Sequence, residues 1–342
     1  MIKNLEFRYK RQDLFDISTK NLECHNFDGL DTLVYSNTNL SIFVTDYCNA
    51  NCKFCVAHLR YEAGNMEYVK PYIRDDEEYF TRLEHVLQEV RELDPSVSLT
   101  GGEPTSSHRI GRIIELLDKY NFRKRTITTN GTYLLKKFGD RTVLEMLIDN
   151  GFQHLNISRA HYDEDINNEV MLLKDKLDLK TISDMARGKI RIRLSCILSK
   201  VGVDSVLEMK KYMDYALEYG IDNVVFRELM NYDEKEIDQK QRIHIYCKEN
   251  RIHLNDIWEV VDKDSEFEFE NQVLGYYYYV EVYKYRGIDM VSESANLERI
   301  LPEKEASSEL FKKPIVYEMI FHPNGYLNGS WRECEDILMK YD

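Results

Sequence analysis

Residues 44–59 read VTDYCNANCKFCVAHL and place three cysteines within eight positions. Cys48, Cys52 and Cys55 follow the spacing C-x3-C-x2-C, directly after an apolar run at 40–44 that predicts a strand. The cysteines would therefore lie on the loop at the end of that strand. Taken alone, the cluster is compatible with a structural metal, a disulfide or a chemical role.

The cysteine count argues against disulfides. The 342-residue chain has seven cysteines, an odd number, and the four outside the cluster are scattered singly. The N-terminus lacks the apolar core of a signal peptide, and no run of about 18 apolar residues predicts a membrane span. We therefore expect a cytoplasmic protein with no membrane partner, in which clustered thiols bind metal.

The charge balance argues against general nucleic-acid binding. The chain carries 46 basic and 60 acidic residues, a formal charge of −14. A protein that binds the phosphate backbone needs a basic stripe, and a solvated helix end explains the local basic stretch at 123–125. Hydrophobic residues make up 43% of the chain, which suits a globular protein with a sizeable core.

Strand and helix patterns alternate about six times between residues 40 and 245. The strand-like runs are at 40–44, 97–99, 126–128, 154–157, 190–197 and 223–226. Helical spacing occurs at 76–93, 110–120, 143–150 and 204–219, the last beginning on an N-capping Asp204. This order predicts an α/β fold with parallel strands, bent into a partial (βα)6 TIM-like barrel. Such folds carry their chemistry on the loops after the carboxyl ends of the strands.

The pattern divides the chain into an N-terminal extension (1–39), the barrel (40–245) and a C-terminal α+β cap (246–342). The cap prediction rests on a tyrosine-rich strand and its return at 275–294 and on a hairpin at 315–331 that turns at Asn324-Gly325. No Pro/Gly/Ser linker precedes these strands, so we expect the cap to pack on the barrel. A lid formed by about 271–331 would shield a reactive intermediate at the barrel mouth.

Three thiolates from one loop can hold three irons of a [4Fe-4S] cube and leave the fourth iron without a protein ligand. The alternative is a closed Cys3His zinc site with His58 as the fourth ligand. The motif LTGGEP at 99–104 follows the second predicted strand and brings two glycines and Glu103 to the same rim. The pairing of these two loops favours cofactor chemistry, while zinc remains open.

The sequence CNANCKFC, followed one strand later by LTGGEP, resembles the radical S-adenosylmethionine (radical SAM) superfamily. Within it, VTDYCNANCKFC and TTNGTYL (128–134) are most similar to the group that contains molybdopterin-precursor cyclases, related single-cluster enzymes and peptide-modifying enzymes. The resemblance covers about residues 40–230. It implies a partial (βα)6 barrel that binds one [4Fe-4S] cluster and S-adenosylmethionine (SAM).

The resemblance assigns the cluster to Cys48, Cys52 and Cys55. It implies that SAM chelates the open iron and that a flavodoxin or ferredoxin type donor supplies one electron. SAM would then be cleaved to methionine and a 5′-deoxyadenosyl radical that abstracts a hydrogen from the substrate. The barrel would position the reactants and exclude solvent.

The resemblance also implies a SAM site on the loops that follow the strands. Phe54 would pack near the adenine, and Glu103 would face the methionyl ammonium together with the glycines before it. For Ser195 a hydrogen bond to neighbouring backbone is an equal alternative. The further implied cofactor positions are Gly101, Gly102, Thr129, Asn130, Ser158 and Ser195.

Four residues are candidate catalytic or substrate-binding groups. His161 and Tyr162 stand in SRAHYDED (158–165), after the fourth predicted strand. Arg227 follows the sixth strand and could bind a substrate anion or form an ion pair with Glu228. His322 lies on the final hairpin, where it could close the barrel mouth.

We therefore predict a radical SAM enzyme that acts on a small polar metabolite, such as a nucleotide, sugar or amino-acid derivative. Cys196, Cys247 and Cys334 occur singly, so the chain departs from molybdopterin-precursor enzymes, which use a second cluster. Cys196 lies in an apolar strand pattern and is predicted to be a core thiol. The alternatives are an enzyme that modifies a ribosomally made peptide by the same chemistry, and a zinc- or iron-sulfur-binding module without turnover.

Overall fold

The computed structural model describes residues 22–58, 72–231, 240–274, 278–295 and 308–341. The strands are β1 Leu22–Phe27, β2 Leu30–Tyr35, β3 Asn39–Phe43, β4 Ser96–Thr100, β5 Lys124–Thr129, β6 Lys137–Phe138, β7 Arg141–Thr142, β8 His154–Ser158, β9 Arg191–Ile197, β10 Asn223–Arg227, β11 Phe267–Leu274, β12 Tyr278–Tyr285, β13 Ile288–Ala295, β14 Ile315–Val316, β15 Met319–Phe321, β16 Leu327–Asn328 and β17 Ile337–Met339. The helices are α1 Asp76–Glu89, α2 Ile110–Tyr120, α3 Val143–Asp149, α4 Glu164–Met171, α5 Leu179–Ala186, α6 Val206–Glu218, α7 Arg242–Asn250 and α8 Leu254–Val261.

Six parallel strands form the barrel in the order β3-β4-β5-β8-β9-β10. Each consecutive pair is joined by a crossover that contains one or two of the helices α1–α6. The predicted strand runs and the four predicted helices are all present. The prediction of a partial (βα)6 barrel is confirmed.

Local sequence determines where the helices begin. Asp75 caps α1 by accepting the backbone N–H of Glu78 at 2.8 Å. At α6 the cap is Ser205 and not Asp204 as expected, because the extended backbone at Ser205 lets its hydroxyl accept the N–H of Glu208. The first predicted helix leaves α geometry after Glu89 and continues to residue 93 as a tighter turn.

The outer face of the barrel sheet supplies the core under the helices. Side chains alternate along each strand, and every second residue is fully buried. These positions are Leu40, Ile42, Val97, Leu99, Ile127, Leu155, Ile157, Leu194, Cys196, Val224 and Phe226. Cys196 is thus a core thiol as predicted, and its Sγ donates to the carbonyl of Ala160 at 3.4 Å.

The C-terminal strands join the barrel sheet at both of its edges. β13 pairs in parallel with β10 and continues to β12 and β11, whereas β15 pairs in parallel with β3 and continues to β16 and β17. The described part of the expected cap therefore consists of the helix α8, of edge strands of the barrel sheet, and of β14, which belongs to a separate sheet. Residues 275–277 of the tyrosine-rich run lie outside the described residues, and Tyr279 and Tyr283 are buried against Trp258 or Phe267 as sheet packing.

The described part of the N-terminal extension is a hairpin, β1–β2, that pairs in parallel with β14. Residues 1–21 of that extension lie outside the described residues. The boundary expected at 245/246 falls inside α7, and the three-part division stays a prediction. No helix in the described ranges has both the length and the apolar character that crossing a bilayer requires.

Candidate active site

The cysteine loop begins at Val44, directly after β3, at the carboxyl end of the barrel strands. Cys48, Cys52 and Cys55 are each partly exposed, and none of the seven cysteines, all of them described, is in a disulfide. The structure therefore places three thiols that are not in disulfides on one rim loop.

The loop rests on a small apolar cluster formed by Ala50, Ala160, Val170, Met171 and Leu173, against which Cys48 and Cys52 also pack. Two backbone hydrogen bonds attach it to the end of α4. The N–H of Asn51 donates to the carbonyl of Met171, and that of Lys53 donates to the carbonyl of Val170, both at 3.2 Å. These contacts hold the loop against the second half of the barrel.

The GGEP loop after β4 lies against the cysteine loop, backbone to backbone. The N–H of Gly102 donates to the carbonyl of Thr45 at 2.6 Å, and that of Glu103 donates to the carbonyl of Tyr47 at 2.7 Å. A Cβ on Gly101 would stand 2.5 Å from the oxygen of Thr45, and one on Gly102 would stand 2.2 Å from that of Tyr47. Both glycines are required by this close approach.

Glu103 is placed differently from the expectation of a carboxylate that faces a ligand. It is 1% exposed, and its Oε1 accepts from the backbone N–H of Thr105 at 3.0 Å, from the hydroxyl of Thr105 and from that of Thr129 at 2.5 Å. Its Oε2 accepts the N–H of Asn130 at 2.7 Å. Burial raises the pKa of Glu103, and these hydrogen bonds oppose the rise. The side chain connects the loops after β4 and β5, and a direct contact with SAM stays a prediction.

Asn130 extends the same network to the cysteine loop. Its Nδ2 donates to Oδ1 of Asn49 at 2.8 Å, and Asn49 donates to Thr132 at 3.0 Å and to Asp175 at 2.7 Å. The three loops after β3, β4 and β5 therefore form one hydrogen-bonded unit. Thr129 ends β5 and Asn130 follows it, the described contacts of Thr129 join the loops, and the part of both residues in SAM binding stays a prediction.

The three thiols fit an iron-sulfur cube. Burial, followed by the charge of the neighbouring thiols, raises the pKa of Cys52, so a positively charged group must offset the cost of three thiolates in one loop. Three thiolates from one loop can attach to three different irons of a cube.

Phe54, expected near the adenine, lies between two apolar clusters. It packs against the cluster below the cysteine loop and against a second one made by Leu229, Ile243 and Cys247. A cavity of about 260 Å³ lies between residues 51–53 of the cysteine loop and the start of α7, and Phe54 is not among its lining residues. The contact of Phe54 with adenine stays a prediction.

Ser158 and Ser195 face each other on neighbouring strands. They are register partners of β8 and β9, and both are half-buried on the inner face of the barrel. The backbone N–H of Arg159 donates to the carbonyl of Ser195 at 2.9 Å. Neither hydroxyl makes a hydrogen bond with the described part of the chain, and their part in SAM binding stays a prediction.

His161 and Tyr162 form a cluster with α6. The hydroxyl of Tyr162 donates to Glu208 at 2.7 Å, and Nε2 of His161 lies 4.0 Å from the same carboxylate. Nδ1 of His161 accepts the backbone N–H of Asp163 at 2.9 Å, and burial lowers the pKa of this histidine. The side chains are held by helix contacts, and their catalytic role stays a prediction.

The FREL segment separates its two charges. Arg227 is 45% exposed on the inner face and lies 3.4 Å from Glu293 of β13. Glu228 faces outward and is buried, where it accepts from Arg251 at 2.6 Å and from His253 at 3.1 Å. Glu228 therefore forms the structural ion pair, and Arg227 remains the candidate for a substrate anion.

His322 lies beside the first barrel strand, at the end of β15. It is 2% exposed, its ring stacks on Phe43 at 6.4 Å between centroids, and its Nε2 lies 3.1 Å from the carbonyl oxygen of Ser330. Burial lowers its pKa to about 4, so it is neutral near pH 7. The described strands of the expected lid extend the sheet edges, and coverage of the mouth stays a prediction.

Sequence reasoning missed Asn49, Thr105 and Arg193. Asn49 and Thr105 join the loops, and Arg193 points into the barrel from β9, where its Nε donates to Asn223. A signal existed for Arg193, because KIRIRLS alternates cations with buried aliphatics in a central strand. No comparable pattern marks Asn49 or Thr105, because their partners belong to other strands.

A comparison with protein families matches residues 42–244 to the family described as Radical SAM superfamily. A probable GTP 3',8-cyclase of Sulfurisphaera tokodaii is 26% identical over 203 residues, which is 58% of each chain. GTP 3',8-cyclase 2 of Mycobacterium bovis is 30% identical over 142 residues, 39% of this chain and 35% of that one. The matches thus span only part of these curated relatives.

Among solved structures, SuiB of Streptococcus suis has a similar fold. The TM-score is 0.54 at 19% identity, covering 87% of this chain and 61% of SuiB. SuiB has also been solved bound to S-adenosylmethionine, with a TM-score of 0.53, and to its precursor peptide SuiA, with 0.50. At this identity the likeness concerns the fold alone, and it extends into the C-terminal strands.

Proposed function

Because the chain belongs to the radical SAM superfamily, we propose that it is an enzyme that uses SAM and one [4Fe-4S] cluster to abstract hydrogen from a small polar metabolite. The observation that carries the proposal is the unit formed by the loops after β3, β4 and β5. That unit presents three thiols at the carboxyl end of a barrel, where such folds place chemistry.

The residues present fit both cofactors. Cys48, Cys52 and Cys55 would hold three irons, and the backbone of Gly101 and Gly102 beside them would meet the amino acid part of SAM. When bound, the two groups supply a 5′-deoxyadenosyl radical by reductive cleavage of SAM, with an electron from a flavodoxin or ferredoxin type donor. The protein contributes positions, and it excludes water from the reacting atoms.

A small polar substrate is supported by two observations. The sequence relatives are named GTP 3',8-cyclases, and the inner face of the barrel is lined by hydroxyl, amide and guanidinium groups. The sequence has one cysteine loop, which favours a reaction that needs one cluster.

The second candidate is the modification of a ribosomally made peptide. It is favoured by the similarity of the fold to SuiB, which covers 87% of this chain. SuiB has been solved in a complex with its precursor peptide. The two candidates differ in where the abstracted hydrogen comes from, so isotope transfer distinguishes them.

The test begins with anaerobic reconstitution, followed by iron and sulfide analysis and a SAM-cleavage assay. We expect about four irons and four sulfides per chain, and dithionite-dependent formation of 5′-deoxyadenosine. Cys52→Ala should abolish both, whereas Cys24→Ala, at an exposed cysteine outside the loop, should leave both unchanged. Zinc in place of iron, about eight irons, or no SAM cleavage by the cluster-loaded protein would contradict the proposal.

The substrate class is tested with deuterated candidates. Transfer of deuterium from a labelled metabolite into 5′-deoxyadenosine supports the first candidate. Transfer from a labelled peptide encoded beside the gene supports the second and excludes the first.

A further inference from the structure

The interior of this barrel is polar where a closed TIM barrel is filled with branched aliphatic side chains. The inner-face positions include the register partners Ser41 and Ser98 on β3 and β4, and Thr128, Asn156 and Arg193 on β5, β8 and β9. Ser41 lies 3.3 Å from Ser98, and Nδ2 of Asn156 donates to Thr128 at 3.4 Å. The lumen is therefore lined by groups that bind polar ligands or water.

The basic side chains on the inner face of the barrel outnumber the carboxylates that pair with them. Arg191 is neutralised by Asp289 at 2.5 Å and Asp222 at 3.2 Å. Arg193 faces inward and donates to Asn223, Lys124 is exposed at the start of β5 on the same face, and no carboxylate of the described residues lies within 4.0 Å of either. Such a concentration of positive charge is unusual in a chain of net charge −14.

Unpartnered atoms mark the same space. Nδ1 of His154 and Oδ1 of Asn156 are buried and have no hydrogen-bond partner among the described residues. Burial, and after it the charges of Lys124 and Arg193, lower the pKa of His154 to about 4. Burial, and after it the charge of Arg227, lower the pKa of Arg193, and the carboxylates of Glu293 and Asp289 oppose this shift in part. Cations that repel one another in a half-buried lumen are costly, so a ligand that neutralises them has a physical role.

We infer that the substrate carries a phosphate or carboxylate group that enters the barrel and binds Arg193, with Arg227 nearer the rim. Arg193 is a register partner of Asn156, and Arg227 lies on the neighbouring strand, level with Ile197. The guanidinium fork suits both anions. The inference rests on the proposed function, since it places the substrate below the cysteine loop with its reacting carbon toward the rim.

The test measures binding of two probes, inorganic phosphate and acetate, to the cluster-loaded protein by calorimetry at constant ionic strength. We expect at least one probe to bind wild type, and the stronger one identifies the class of anion. Arg193→Gln should weaken that binding about tenfold or more, with partial recovery in Arg193→Lys. Arg141→Gln, on the outer surface, is the matched control and should bind as wild type.

Asn156→Asp is a second variant that tests the same inference in case Arg193→Gln does not fold. It keeps the side-chain size, places a carboxylate beside Arg193 and should abolish anion binding without lowering the melting temperature. No binding to wild type, or equal binding to wild type and both variants, would overturn the inference. SAM cleavage without anion binding overturns this inference alone, whereas anion binding without SAM cleavage overturns the proposed function alone.

Discussion

The two halves of the barrel are built on different principles. In the first half, β3 to β5, loops are joined by backbone contacts and by a buried carboxylate with four donors, so little freedom remains. In the second half, β8 to β10, Arg193 and Arg227 face the lumen, where Arg193 donates to Asn223 and Arg227 lies 3.4 Å from Glu293 at a partly exposed site. In the proposed enzyme, the first half would be preorganised for the cofactors and the second half would be completed by the substrate.

Gly102→Ala should have the largest effect of the changes in the first half, because it separates the loops after β3 and β4. Its Cβ would stand 2.2 Å from the carbonyl oxygen of Tyr47, so the two loops must separate. We expect iron content after reconstitution to fall to near zero. The control is Gly111→Ala in α2, where the added methyl meets only the flexible end of Met146. Full iron content in Gly102→Ala would show that the loops are not coupled.

Glu103→Gln removes the charge at the centre of the first half. The amide group of the new glutamine side chain would point N–H donors at groups that are themselves donors, so hydrogen bonds are lost. We therefore expect the unfolding free energy to fall by about 1–3 kcal/mol in urea melts. The control Glu77→Gln weakens an exposed pair with Arg112 and should cost less unfolding free energy than Glu103→Gln. Unchanged stability together with a tenfold loss of SAM affinity would instead make Glu103 a direct SAM ligand.

Tyr162→Phe tests the second half. It removes the hydrogen bond to Glu208 and should cost about 0.5–1.5 kcal/mol. SAM cleavage and hydrogen transfer should persist if the hydroxyl only holds the loop on α6. Loss of hydrogen transfer with SAM cleavage intact would establish the predicted catalytic role of Tyr162.

The smallest effect separates two histidines with the same pKa. The pKa of each histidine is lowered to about 4. Burial lowers the pKa of His322, whereas burial and neighbouring cations together lower the pKa of His154. Salt should therefore raise the pKa of His154 and leave that of His322 unchanged in NMR titrations. The unfolded chain binds these protons near pH 6.5, so the unfolding free energy falls as pH drops from 6.5 toward 4. An equal salt response would contradict a cationic lumen.

Much of the fold was readable because its signals are local. The alternation of buried aliphatics predicted all six barrel strands, and capping residues placed the helices to within a few residues. The misplaced cap at Asp204 shows the limit, because two adjacent cap-forming residues differ only in backbone conformation. The pairing of β13 and β15 with the edges of the barrel could not be predicted, because it joins strands that are far apart in the sequence.

The sequence by itself determined the cysteine spacing, the glycines of GGEP, the order of the barrel and the family. Each of these depends on residues close together along the chain or on a repeating period. Only the tertiary structure decided that Glu103 joins two loops, that His161 and Tyr162 rest on α6, and that Arg193 and Arg227 share one lumen. Those relations depend on strand register and on contacts between loops, which bring together residues that no local pattern connects.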